Sequence, residues 1–334
     1  MAGGFRPKIP RLRPYLREMS GSLFRAVDAR LFPRHNLRKR VNGRVVLLTG
    51  ASTGIGEVLA YRLAEAGAQL VLVARSRDRL NAVINRIRDA GGRARGICAD
   101  LSQLEDCDRV AADVLDREGA VDILINNAGR SIRRPVFHSL ERFHDFQRTM
   151  QLNYFGAIRL TMNLLPSMKE SGGGHVLNIS TVGVQMAPAR FSAYLASKGA
   201  LEGWTMAAAN EMGHHNIWYT LVNLPLVRTP MIAPTEVYRY TPAISPDEAA
   251  TRICRAIITR QKRVINAAAV GTMVAYLALP RLSEAIVNTG YQLTRESDAA
   301  RGEHTGRTGP GGRGETGDTS NVHPLDPDRQ RRRR

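Results

Sequence analysis

The sequence predicts an α/β fold in which a parallel sheet is covered by helices on both faces. From Arg44 onward, short runs rich in Val, Ile and Leu alternate with amphipathic stretches of helical length. The apolar runs show little alternation of polar and apolar residues, which is typical of strands that are buried on both sides. Strands that alternate with helices indicate parallel pairing. With 43% hydrophobic residues, the chain also has enough apolar side chains for a sizeable core.

The elements follow one another in regular order. We predict strands at Val45–Thr49, Gln69–Ala74, Ala94–Cys98, Val121–Asn126, His175–Ser180 and Ile217–Val222. Helices between and after them are predicted at Gly54–Ala66, Asp78–Asp89, Leu104–Glu118, across 141–170, at 192–212 and at Pro246–Arg260. Residues 44–266 are therefore expected to form one folded domain.

The segments on either side of this domain differ in composition. Residues 1–43 are expected to be a basic, partly helical extension, in which Ser22–Phe32 has the apolar spacing of an amphipathic helix. Residues 267–293 are predicted to be an apolar helical segment, and residues 294–334, rich in Gly, Arg, Thr, Asp and Pro, to be disordered. Either apolar segment is a candidate for peripheral membrane contact. Packing against the domain or a partner subunit is the alternative.

The charge and the cysteines limit the classes of function. The formal net charge is +18, but residues 1–43 hold eleven Lys or Arg against two acidic residues, so half of the excess lies in that extension. This distribution argues against a surface that binds a specific nucleic acid.

Cys98, Cys107 and Cys254 match no metal or redox spacing, and no apolar region of a secretory signal follows the basic extension. We therefore expect reduced thiols, no metal site and a cytoplasmic protein.

A glycine-rich loop follows the first predicted strand and opens a helix. Glycines at these positions let the chain turn tightly and let a pyrophosphate approach the N-terminus of the helix. A second strand begins about 20 residues further on, which is the context of a dinucleotide site. The candidate cofactor-binding residues in this loop are Gly50, Ser52, Thr53, Gly54, Ile55 and Gly56.

The end of the second strand bears on which dinucleotide binds. NAD sites usually place an acidic side chain there, whereas the 2′-phosphate of NADP requires cations. This chain has Arg75 and no acid in Val73–Arg77. NADP(H) is therefore favoured, with a solvated arginine as the alternative interpretation of Arg75.

A proton-transfer site is indicated by Tyr194 and Lys198, which lie four positions apart on the predicted helix 192–212. Residues with this spacing share one helix face. A phenol has an unperturbed pKa of about 10, and a fixed cation beside it favours the phenolate. The preceding strand ends in two hydroxyls, Ser180 and Thr181. Either hydroxyl could donate to a carbonyl oxygen.

Three motifs in order resemble the short-chain dehydrogenase/reductase family: Thr49-Gly-X-X-X-Gly54-X-Gly56, Asn126–Gly129 and Tyr194-X-X-X-Lys198. The resemblance covers about residues 41–265. It implies a single doubly wound Rossmann domain with seven parallel strands, assembled as a homo-oligomer. It also implies that Tyr194 is the general acid/base and that Lys198 holds the nicotinamide ribose and lowers the pKa of Tyr194.

The resemblance implies roles for further residues. A hydroxyl would orient the carbonyl: the family's usual spacing to Tyr194 implies Thr181 and its usual distance to Gly183 implies Ser180, to which we give preference. Asn153 would hold a water molecule in the proton relay. Further cofactor contacts would come from Asp100, Asn127, Ala128, Gly129, Pro225, Val227 and Thr229, where Leu226 stands in place of the family's usual Gly.

Longer strings, at 126–134, 143–156, 191–198 and 226–234, resemble the bacterial long-chain fatty acyl-CoA reductases of this family over about residues 44–290. This resemblance implies NADPH-dependent reduction of an acyl-CoA thioester to the fatty aldehyde. Arg130, Arg133 and Arg134 would then bind the phosphates of coenzyme A, or form a solvated loop. The alternative function is oxidation or reduction of a secondary alcohol or ketone in a lipid-like substrate.

Overall fold

Seven parallel strands form one sheet, in the order β3-β2-β1-β4-β5-β6-β7. The computed structural model describes residues 33–232, 238 and 241–293, so the predicted helix 22–32 and the predicted disordered tail lie outside the described residues. The strands are β1 (Val45–Thr49), β2 (Gln69–Ala74), β3 (Arg93–Cys98), β4 (Ile123–Asn126), β5 (Gly174–Thr181), β6 (Ile217–Leu224) and β7 (Arg263–Val264). The predicted α/β class with a doubly wound parallel sheet is confirmed.

Helices connect the strands and cover both faces of the sheet. They are α1 (Pro33–Val41), α2 (Gly54–Glu65), α3 (Arg77–Asp89), α4 (Leu104–Glu118), α5 (His144–Met150), α6 (Ala157–Glu170), α7 (Gly183–Met186), α8 (Ser192–Met212), α9 (Pro246–Thr259), α10 (Ala267–Ala278) and α11 (Pro280–Leu293). A π-helical segment, Gln151–Gly156, joins α5 to α6. The long predicted region across 141–170 is therefore one helical run with a π-helical turn inside it.

The hydrophobic core consists of two layers, one on each face of the sheet. Neighbouring strand residues point to opposite faces, so Leu48 packs with helices α2 and α9 whereas Leu47 packs with α4 and α6. This explains why the strands are apolar throughout. Helix α1 also takes part, because its Leu37 and Val41 are buried in the first layer. The division of the chain into domains at residue 43 stays a prediction.

The order of the strands reverses between β1 and β4, which are neighbours in the sheet. Crevices beside such a reversal, at the carboxyl ends of the strands, are where ligands bind in doubly wound sheets. The glycine loop follows β1 at this edge, Asn127 follows β4, and Thr181 ends β5. The fold therefore brings the predicted motifs to one edge of the sheet.

The C-terminal segment forms two helices instead of one. Helices α10 and α11 are bent by 120° relative to each other at the break before Pro280. Among the described residues, no single helix has the length and hydropathy to cross a membrane, although this bent pair meets both criteria when taken together.

Candidate active site

The glycine loop is shaped by close approaches that only glycine permits. Gly50 has a φ of 66°, a left-handed conformation that favours glycine. At Gly56, a Cβ atom would lie 2.1 Å from the carbonyl oxygen of Gly50. The first turn of α2 is therefore packed directly against the loop, and its free N–H groups face the edge where β1 ends.

The loop after β4 is tied to the glycine loop by hydrogen bonds. The side-chain amide of Asn127 donates to the carbonyl oxygens of Thr49 and Gly50, at 3.0 and 3.2 Å. The Thr49 hydroxyl accepts from the backbone N–H groups of Asn127 and Ala128, at 3.0 and 2.9 Å. The amide of Asn127 thus stabilises the loop itself, and its neighbours Ala128 and Gly129 face the cleft.

A continuous cleft of about 1090 Å³ runs along this edge of the sheet. It begins at the glycine loop, passes Arg75 and Asp100, and reaches Tyr194 and Lys198. Every predicted site residue lines it except Asn153, including Pro225, Val227 and Thr229 after β6. The structure therefore brings together the residues that the sequence grouped as cofactor and proton-transfer sites.

Burial controls the ionisation of the two residues at the centre of the cleft. It raises the pKa of Tyr194 to about 12, an effect that a hydrogen bond with Thr181 opposes. Burial lowers the pKa of Lys198 to about 8, and the carboxylate of Glu202 opposes that change. The ammonium of Lys198 donates to the carbonyl oxygen of Ile179 at 2.8 Å. Burial is the largest influence on the pKa of Tyr194 in this structure, and the lowering by Lys198 that the family resemblance implies stays a prediction.

The two hydroxyls at the end of β5 have different partners. Thr181 acts on the phenol of Tyr194, whose pKa it lowers, and its side-chain oxygen accepts from the backbone N–H of Gly183 at 3.1 Å. Ser180 is buried and donates to a carboxylate oxygen of Glu202 at 2.7 Å. The geometry thus supports Thr181 as the hydroxyl beside Tyr194 and does not support the preference for Ser180.

Asn153 lies in the π-helical segment and is buried behind the cleft. Its side-chain amide donates to the carbonyl oxygen of Arg130 at 2.8 Å and to the hydroxyl of Ser197 at 2.9 Å. Its side-chain oxygen accepts from the backbone N–H of Arg130 at 2.8 Å. Asn153 therefore fixes the loop after β4 against helix α8. π-helical turns are frequent at functional sites, but the sequence pattern does not reveal this one.

The far end of the cleft is cationic. Arg75 and Arg79 line it, and Arg79 is a residue that the sequence analysis missed. The position of Arg79, four residues after Arg75, could have identified it in the sequence. The carboxylate of Asp100 accepts from the N–H and hydroxyl of Ser102, at 3.1 and 2.8 Å, which orients it at the rim. No acidic residue stands between Ala74 and Arg77 at the end of β2.

The segment after β6 is held in place although Leu226 replaces a glycine. The Leu226 carbonyl accepts from the N–H of Ile244 at 2.9 Å, and the N–H of Arg228 donates to the Ile244 carbonyl at 2.9 Å. Val227 and Ile244 form an isolated parallel bridge. The backbone path beside Tyr194 and Lys198 is therefore fixed by pairing, without the conformational freedom of a glycine.

Comparison with known proteins assigns the family. The family model for short chain dehydrogenases matches residues 44–237. The chain belongs to this family. It is therefore an oxidoreductase with the Rossmann-type fold, as the sequence motifs indicated.

Two relatives are named as fatty acyl-CoA reductases. The protein from Acinetobacter baylyi is 46% identical over 266 residues, which cover 80% of this chain and 90% of that protein. One from Mycobacterium tuberculosis is 46% identical over 231 residues, covering 69% of this chain and 79% of that protein.

Solved structures of short-chain dehydrogenases share the fold. A short-chain dehydrogenase from Streptomyces avermitilis has a TM-score of 0.63 and 33% identity and covers 76% of this chain and all of that one. A metagenomic short-chain oxidoreductase in complex with NADP has a TM-score of 0.58 and 31% identity, with coverages of 68% and 98%. A 7α-hydroxysteroid dehydrogenase in complex with NADH has a TM-score of 0.63 and 25% identity, with coverages of 69% and 94%. Members of this family thus bind either dinucleotide.

Proposed function

We propose that this protein is an NADPH-dependent reductase that converts a long-chain fatty acyl-CoA thioester to the fatty aldehyde and free coenzyme A. The observation that carries the proposal is the single cleft that joins a cationic cofactor end to Tyr194 and Thr181. The two relatives named as fatty acyl-CoA reductases support the choice of substrate.

The lining of the cleft supports a dinucleotide with a 2′-phosphate as the cofactor. The close approach of Gly56 to Gly50 leaves room for a pyrophosphate at the N-terminus of α2. Arg75 and Arg79 would hold the 2′-phosphate, for which guanidinium groups are well suited. When bound, NADPH supplies the hydride that reduces the carbonyl carbon.

The chain's own residues would handle the carbonyl oxygen and its proton. The Thr181 hydroxyl would donate to the oxygen and orient it, while Tyr194 protonates it as negative charge develops. Lys198, in its ammonium form, would stabilise the phenolate that Tyr194 leaves behind. The resulting hemithioacetal breaks its C–S bond to give the aldehyde and a thiol.

Arginines at the mouth of the cleft support a phosphate-bearing substrate. Arg130 is half-buried, and burial together with the neighbouring cations Arg148 and Arg75 lowers its pKa. Cations crowded in this way favour an anionic ligand. Arg134 is less suited, because its guanidinium donates to the buried carboxylate of Asp145 at 3.0 Å. We therefore assign the phosphates of coenzyme A first to Arg130.

Helices α10 and α11, the C-terminal hairpin, are proposed to rest on an anionic lipid surface. α10 packs on α7 beside the cleft, and Asn266 and Ala268 line the cleft itself. Arg190 fixes the end of the hairpin: it donates to the Tyr291 carbonyl at 3.2 Å and lies over that residue's ring. The hairpin exposes large apolar side chains that include Met273, Val274, Leu277, Leu279, Leu282 and Ile286. Half of the chain's excess positive charge lies in residues 1–43, and this basic extension would attract the protein to an anionic membrane, from which a lipid-like substrate could enter.

One assay separates the proposed function from its alternative. Purified enzyme is given NADPH with palmitoyl-CoA, and separately with a panel of ketones, while NADPH oxidation and free thiol are followed together. We expect one thiol for each NADPH oxidised with palmitoyl-CoA. Oxidation of NADPH by ketones alone, without thiol, would establish the ketone reductase instead. The Tyr194→Phe variant, which binds NADPH but lacks the proton donor, serves as the inactive control.

A further inference from the structure

Glu202 lies on helix α8, four residues after Lys198, which itself lies four residues after Tyr194. The three residues follow one another at intervals of four, so each side chain lies close to the next along the helix. Glu202 is buried, with 4% of its surface exposed. A buried carboxylate is costly unless it is hydrogen-bonded and paired, so its partners show what it holds together.

The carboxylate of Glu202 has polar partners on four different elements, three of them hydrogen-bonded and one an ion pair. One oxygen accepts from the Ser180 hydroxyl at 2.7 Å and from the side-chain amide of Asn223. The other accepts from the side-chain amide of Gln185 at 3.1 Å and pairs with the guanidinium of Arg263 at 3.1 Å. All four partners are donors, and a carboxyl group that only accepts is ionised. Glu202 therefore joins β5, β6, α7 and β7 to helix α8.

These contacts lie directly behind Thr181. Ser180 is its neighbour in the strand, and the amide of Asn223 that bonds Glu202 also donates to the Thr181 carbonyl at 3.2 Å. Thr181 is thus held on both sides by groups that Glu202 binds. If the carboxylate were removed, the end of β5 would lose two of its ties to helix α8.

Glu202 is also the anion that acts on Lys198. Burial lowers the pKa of Lys198, and the attraction of Glu202 raises it. The groups packed around the carboxylate are the charged Lys198 and Arg263 and the neutral Ser180, Gln185 and Asn223. In the part of the chain that the structure describes, no second carboxylate contributes to the pKa shift of Lys198.

We propose that Glu202 is a positioning residue of the active site, which holds the strand end that carries Thr181 and keeps Lys198 in its ammonium form. The inference rests on the proposed roles of Thr181, Tyr194 and Lys198, but not on the identity of the substrate. Glu202 does not line the cleft, so its effects act through Thr181 and Lys198.

The test compares two isosteric changes on the same helix. Glu202→Gln removes the buried charge, while Glu211→Gln removes an exposed carboxylate further along α8. Because loss of the anion lowers the pKa of Lys198, we expect the alkaline limb of kcat/KM to move to lower pH by about one unit in Glu202→Gln. The Glu211→Gln profile should match that of the wild type. NADPH affinity against pH, followed by fluorescence, should move in the same way and needs no carbonyl substrate.

A failure of the role proposed for Glu202 can be distinguished from a failure of the proposed function. Weak NADPH binding by the wild type would contradict the proposed cofactor, whereas an unchanged alkaline limb in a folded Glu202→Gln variant would overturn the role of Glu202. If Glu202→Gln does not fold, the Glu202→Asp variant tests the proposed role of Glu202 instead. It keeps the charge, so its alkaline limb should stay in place, but its shorter side chain should reduce kcat severalfold. A wild-type kcat in Glu202→Asp would refute the positioning role.

Discussion

The side chain of Thr181 lies beside the phenol of Tyr194 and lowers its pKa, although Ser180 is the next residue in the same strand. Consecutive side chains of a strand point to opposite faces of the sheet, so the two hydroxyls have different neighbours although both residues line the cleft. Ser180 points the other way, to the buried carboxylate of Glu202. The two hydroxyls therefore have separate tasks, one beside the reacting group and one in the framework behind it.

Alanine substitutions should separate these tasks. Thr181→Ala removes the donor beside Tyr194, and we expect kcat to fall by about 10²-fold, as for other lost oxyanion donors, with little change in melting temperature. Ser180→Ala leaves the Glu202 carboxylate short of a donor, at a cost of about 1–3 kcal/mol in the free energy of unfolding. Steady-state kinetics and thermal unfolding of both variants check the prediction. A larger loss of kcat in Ser180→Ala would reverse the assignment.

Cofactor preference should depend on Arg75. Removing its guanidinium in Arg75→Ala should raise KM for NADPH by roughly 10- to 100-fold, the equivalent of one charge-assisted hydrogen bond. KM for NADH should hardly change. Arg77→Ala is a matched control, because Arg77 is an exposed arginine two residues away that does not line the cleft. Equal changes with both cofactors would indicate that Arg75 does not contact the 2′-phosphate.

Activity and stability should respond in opposite directions to alkaline pH. Burial lowers the pKa of Lys198 from 10.5 to about 8, so the ammonium is lost in the folded state as pH rises through about 8. We expect kcat/KM to fall in that range. In the unfolded state the lysine keeps its proton to higher pH, so this group's contribution to stability rises with pH between those two values. The two responses are measured as kcat/KM and melting temperature against pH. The Lys198→Met variant isolates the contribution of Lys198 to the pH dependence of stability. A pH dependence of stability that is identical in Lys198→Met would contradict the assignment.

Lipid binding should require the apolar face of the C-terminal hairpin. Leu277→Glu and Ile286→Glu place charges on that face, and we expect either change to reduce co-sedimentation with vesicles that contain phosphatidylserine. Met162→Glu, at an exposed apolar position on α6, should bind like the wild type. Light scattering gives the oligomeric state of each variant. Dissociation of an oligomer by the hairpin changes, without any loss of vesicle binding, would assign the face to a second copy of the chain.

The sequence predicted the sheet, most of its elements and the grouping of the site because these depend on local patterns. The apolar runs located six of the seven strands, but β7 has only two residues, Arg263 and Val264, and its existence depends on pairing with β6. The choice between Ser180 and Thr181 depended on which face of β5 each occupies, and spacing along the chain does not determine this. Glu202 gave a weak signal, a charged residue four positions after Lys198 on the helix face that also carries Tyr194. Its four partners come from distant parts of the sequence and become neighbours only in the fold.

The π-helical segment Gln151–Gly156 changes the phase of the helical run that contains it. An additional residue in one turn rotates everything beyond it by roughly 100° relative to an uninterrupted α-helix. A helical wheel drawn with one period through 144–170 would therefore misplace one half of the run. The rotation lets Asn153 face the loop after β4 while Leu160 and Leu164, further along, face the core. If one residue were deleted from this turn, the helical run could not keep both the hydrogen bonds of Asn153 and the burial of Leu160 and Leu164.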